Sequence, residues 1–156
     1  MEWTQDELLK QMEERAGKPT AELTKRILDW SNERGWGYRA GGGADYGSGT
    51  IYVKRGKSEY EFGYLYVERE GDGRKGAFNM RFNSLRDRLP FPNDQSLESL
   101  RGLINKIHGA ELPAEAIHQD YSAFDIRLLG TDEGWQAFVN AADWFVQTID
   151  DAGSVG

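Results

Sequence analysis

The chain has 156 residues and a mass of 17.7 kDa, the size of one domain, and 12% of its residues are aromatic, which argues for a packed core. It has no Cys and only two His, His108 and His118, which excludes a disulfide scaffold, a thiol nucleophile and a Cys- or multi-His-ligated metal. The net charge is −7, but it is uneven: residues 50–109 carry +3 and the rest −10. No apolar run approaches the roughly 20 residues that span a bilayer. The start is acidic and lacks an apolar signal core, so the expected setting is the cytoplasm. An acidic chain is a poor general binder of nucleic acid, although its basic middle allows a local patch.

The spacing predicts a first helix over Thr4–Ala16, with Thr4 and Glu7 as a capping box and Gly17 and Pro19 as stops. Its few apolar residues suggest a peripheral helix over 1–18, ahead of one α+β domain over 19–150 and a disordered tail over 151–156. A second helix follows over Thr20–Arg34, with Leu23, Ile27, Leu28 and Trp30 near one face. Gly35–Gly49 holds seven glycines and no regular apolar period, and reads as a long connector.

The period then switches to two. Thr50–Lys54 is a strand, Arg55-Gly56-Lys57-Ser58 a hairpin turn, and Glu59–Arg69 a long strand. Strict alternation puts Tyr60, Phe62, Tyr64 and Tyr66 on one face and Glu61, Gly63, Leu65 and Val67 on the other. After a second turn, Ala77–Phe82 is a third strand, with Asn79 and Arg81 opposite Phe78, Met80 and Phe82. Ser96 is read as the cap of a helix to Ile107, Pro113–Ile117 as a turn or short helix, and Phe124–Leu128 as a short strand. Thr131 caps the last helix, to about Asp150, whose stripe includes Trp135, Phe138, Phe145 and Ile149. The expected class is therefore α+β: an antiparallel meander of three to four strands packed by flanking helices, in the order α-α-β-β-β-α-β-α.

Four constellations invite chemistry. Gly35-Trp36-Gly37-Tyr38-Arg39-Ala40 matches G-x-G-x-x-A, but it follows a helix and leads to a strand, the reverse of a dinucleotide fingerprint. Asp45, Glu59 and Glu61 could hold a divalent metal for nuclease chemistry, although a solvated edge strand also looks like this. His108 or His118 could act as a base beside Asp120 or Glu111, yet a histidine at a helix C-terminus is ordinarily a dipole partner. The aromatic strand face, with Tyr52 near it and Asn79 and Arg81 beside it, is the type of platform on which bases stack, unless a helix covers it.

A set of landmarks adds to this. Leu28-Asp29-Trp30 through Gly35, the apolar strand Phe78–Phe82, Leu85 to Phe91, Ile107-His108-Gly109, Leu112-Pro113 to Ile117, and Phe138, Trp144 and Ile149 follow one another in order. In this order the chain resembles a family of uncharacterised bacterial α+β domains, departing from it where Gly47-Ser48-Gly49-Thr50 replaces a G-S-F-type strand. The resemblance implies a small module found alone or beside DNA-processing and phage-defence proteins. It implies no catalytic residue.

The expectation is thus a non-catalytic binding module without metal or cofactor, with a protein or nucleic-acid partner. It would use Trp36, Tyr38, Arg39, Tyr52, Tyr64, Tyr66 and Arg81. The alternative is a divalent-metal nuclease using Asp45, Glu59 and Glu61.

Overall fold

The computed structural model describes residues 3–42, 47–68, 75–86, 88, 90, 91 and 93–155. Helix α1, Gln5–Ala16, starts where its capping box requires: the Glu7 amide donates to Thr4 Oγ1, and the Glu7 carboxylate accepts from the Thr4 amide. Helix α2, Lys18–Glu33, follows Gly17, whose φ of 98° suits glycine. The strands are β1 (Gly37–Ala40), β2 (Ser48–Arg55), β3 (Ser58–Val67), β4 (Gly76–Met80) and β5 (Ser122–Asp125). They form one five-stranded antiparallel sheet in sequential order. Helices α3 (Phe82–Leu85), α4 (Asp94–Ile104) and α5 (Asp132–Val155) complete the chain, with 3-10 turns at Ala114–His118 and Ile126–Gly130. None of the described helices is long and apolar enough to cross a membrane.

The α+β class and the meander are as expected, but the sheet has five strands. The added one, β1, lies inside the glycine-rich stretch that reads as a connector. Its glycines make room for aromatic rings across the strand pair. A Cβ on Gly37 would sit 2.2 Å from the Tyr52 ring, and one on Gly49 would sit 2.3 Å from the Tyr38 ring. Glycine here is a socket for a neighbour's ring, which keeps strand pairing despite a poor intrinsic propensity.

The second departure is in register. Ile51 pairs with Gly63, but Tyr52 pairs with Glu61, so β3 carries one extra residue at Phe62. A one-residue slip exchanges the faces of a strand. Beyond the bulge, Tyr60 lies opposite the buried Val53, while Glu61 and Glu59 share a face with Tyr64 and Tyr66. The expected four-ring stripe is therefore not formed. Phe62 is buried in a chain of edge-on rings, 5.4 Å from Trp36 and 5.8 Å from Phe78.

Shorter corrections follow the same logic. Asn93, not Ser96, caps α4, because its Oδ1 accepts the Ser96 amide. The strand expected over Phe124–Leu128 starts earlier and ends at Asp125, where the carboxylate accepts the Arg127 amide and turns the chain. Phe82 opens α3 and does not end β4. Helix α5 runs to Val155, and Thr131 Oγ1 accepts the Gly134 amide at its start, as expected of its cap.

The chain forms two compact units: Met1–Asn79 with Asp125–Arg127, and Met80–Phe124 with Leu128–Gly156. In the first, α1 and α2 pack together and cover the sheet face that carries Gly76, where a Cβ would meet Thr20 and Met12. Leu8, Met12, Ile27, Ile51, Leu65 and Phe78 are buried there. Tyr38 ties the N-terminal segment to β1: its hydroxyl donates to the Trp3 carbonyl at 2.8 Å. Burial, with Glu7 adding to it, pushes the Tyr38 phenol up to about 12. Between pH 10 and pH 12 the unfolded chain therefore ionises this phenol while the folded chain does not, and stability falls as pH rises. Urea melts from about pH 9 to pH 11 should show a shallower alkaline loss for Tyr38→Phe than for the parent.

In the second unit, Phe91 stacks on Phe145 at 5.3 Å, and Leu97, Leu100 and Ile104 of α4 are buried. Arg86 fastens this unit. It donates to Asp94 at 2.6 Å and to the Ile117 carbonyl at 2.7 Å, and lies 3.2 Å from His118 Nδ1. The hydrogen bond from Arg86 holds the Asp94 carboxyl below its ordinary value. Its contribution is present above the ordinary carboxylate range and lost as pH falls through the lowered value. Thermal melts from about pH 5 to pH 2 should therefore show a shallower acid-side loss for Arg86→Met.

Candidate functional site

Register fixes which residues share the face of β1 to β4 opposite α1 and α2 in the first unit, where Ser48, Thr50, Ala77 and Asn79 are buried and the tyrosines partly so. Arg39 pairs with Thr50, Thr50 with Tyr64, and Tyr64 with Asn79, so these four form a row across the strands. Ser48, Tyr66 and Ala77 form the next row, and Tyr52 and Glu61 pair on the other side of the first. Tyr64 and Tyr66 are half-buried, with ring centroids 5.4 Å apart and planes 27° from parallel. Burial raises the Tyr66 phenol, with Glu68 next in weight.

Arg39 spans the sheet. From β1 its guanidinium passes over the Tyr52 ring, 5.1 Å from the centroid, and reaches β3. There it donates to Glu61 Oε1 and Glu59 Oε2, both at 2.6 Å. The β3 bulge makes this possible, because it turns both carboxylates onto the tyrosine face. Such a fork is geometrically specific, although partial exposure keeps its stabilisation small. Around it, among the described residues, Arg39, Lys54 and Lys75 stand against Glu59, Glu61 and Glu68. The face is thus aromatic and polar at its centre and charge-balanced at its rim.

Of the residues expected to bind, Arg39, Tyr52, Tyr64 and Tyr66 come together here. Trp36 is buried, 5.0 Å from Trp30, and Tyr38 lies on the face opposite Tyr52. Arg81 follows the end of β4, and its guanidinium lies 5.8 Å from the centroid of Tyr121, an aromatic ring exposed to solvent. Of the three metal candidates, Glu59 and Glu61 are held by Arg39, and Asp45 lies outside the described residues. Among the described residues no group of three His, Asp or Glu is placed to hold a metal ion. His118 sits beside Arg86 and Asp94, and His108 is exposed.

The sequence reading placed Asn79 beside this face, as the register does, but missed Thr50. Alternation did place Asn79 opposite Phe78, but nothing in the sequence says that it is fully buried. In the second unit a shallow groove of about 310 Å³ is lined by Leu103, Lys106, Glu133, Gln136, Ala137 and Asn140.

Comparison of the chain with protein-family models, with curated proteins and with solved structures finds no match.

Proposed function

We propose that this chain is a non-catalytic interaction module whose tyrosine face meets a protein partner, acting as an accessory to a DNA-processing or defence system. The single observation that carries the choice of partner is Arg39. Its charge is taken up by Glu59 and Glu61, and among the described residues the face has no net positive charge with which to neutralise phosphates. Tyrosine at the centre, buried hydroxyl and amide groups beside it, and opposed charges at the rim match the anatomy of a protein interface. The accessory role rests on the ordered landmarks from Leu28 to Ile149 that resemble bacterial modules of that setting. A nuclease using Glu59 and Glu61 would first have to displace Arg39 from both.

The test is fluorescence anisotropy against single-stranded DNA, duplex DNA and RNA at low and moderate salt. The reading expects no specific binding. Binding that weakens steeply with salt and is lost in Tyr64→Ala would overturn it in favour of nucleic acid.

A further inference from the structure

Asn79 is the member of the tyrosine face that packing does not explain. It is 0% exposed, and neither its Oδ1 nor its Nδ2 has a hydrogen-bond partner among the described residues. A buried amide left unmet is costly, and native proteins keep few of them. Its strand neighbours Ala77, Phe78 and Met80 are apolar, so leucine would suit the strand as well. The fold gains nothing visible from the amide, which directs attention to a ligand.

The position says which kind. Asn79 lies beside Tyr64 in the row that continues through Thr50 to Arg39. A carboxamide presents an acceptor and two donors in one plane, and its complement is another amide. Among the described residues the charges of the face balance, which gives no advantage to a phosphate or a carboxylate. Resting on the tyrosine-face reading, we propose that Asn79 is the recognition residue of an amide subsite on that face, taking a peptide group or an Asn or Gln side chain of the partner. Tyr64, half-buried, is its register partner across the strand pair and the neighbouring side chain that the test removes.

The probe is acetamide, at millimolar concentration, followed on the assigned side-chain NH₂ resonances of the ¹⁵N-labelled protein, with adenosine as the competing probe. A saturable shift of the Asn79 NH₂ with acetamide, larger in Tyr64→Ala, is expected. Asn79→Leu should melt at or above the temperature of the parent. A response to adenosine alone would replace the amide by a nucleobase. No response to either, with a long-lived water detected on the amide, would reduce Asn79 to the seat of an internal water. A fall of several degrees in Asn79→Leu would make the amide structural, and each of these three results overturns the proposal. If Tyr64→Ala and Tyr66→Ala weaken partner capture while Asn79→Leu does not, this inference fails and the tyrosine-face reading stands.

Discussion

Gly63→Val is expected to abolish cooperative folding of the first unit, and Gly63→Ala to lower stability by about 3 kcal/mol or more, the upper end of overpacking penalties. A Cβ at this position would sit 2.0 Å from Phe78 Cζ. That ring cannot swing away, because it is 0% exposed and packs edge-on to Phe62 at 5.8 Å. The backbone would have to move, and with it the bulge that sets the register of β2 against β3. A loss of about 3 kcal/mol is a large part of the 5–15 kcal/mol that holds most domains together. Chemical denaturation of Gly63→Ala gives the number directly. Adding Phe78→Leu to Gly63→Ala should recover part of it, since the two positions share one space. A Gly63→Ala protein as stable as the parent would mean that the ring is not seated there.

The same geometry explains what could and could not be read in advance. Signals confined to a few neighbouring residues were legible: the Thr4 and Glu7 cap, the Arg55-Gly56-Lys57-Ser58 hairpin and the Thr131 cap all form. So was the α+β class, because period and order are local properties summed along the chain. Signals that exist only between strands were not. Gly37 and Gly49 look like linker residues until Tyr52 and Tyr38 are laid over them from the neighbouring strand. Phe62 fits a strict alternation until the bulge buries it. Glu59 and Glu61 are apart in sequence from Arg39 by 20 and 22 residues, and only register joins them. The candidate site was therefore half legible. Its tyrosines were seen, but the charge balance on which the proposed choice of partner rests was hidden in the pairing.

That balance leads to the expected result with the largest functional effect. Replacing both Tyr64 and Tyr66 by Ala should weaken partner binding at least about 30-fold, the loss that corresponds to the 2 kcal/mol of an interface hot spot. Both rings are half-buried, so the variant should still fold. The measurement is affinity capture with parent and variant as baits, followed by titration of the purified partner. Salt adds a second readout. An interface built on neutral rings and a rim of opposed charges should lose little affinity between about 50 and 200 mM salt, whereas one resting on several phosphate contacts loses about a thousandfold or more. Arg39→Met gives the converse control. It leaves Glu59 and Glu61 without the fork that joins them to β1, turning the face net negative, and binding should then become salt-dependent. If the parent is already steeply salt-dependent and Arg39→Met abolishes binding outright, Arg39 is exchanging its carboxylates for a phosphate, and the partner is a nucleic acid.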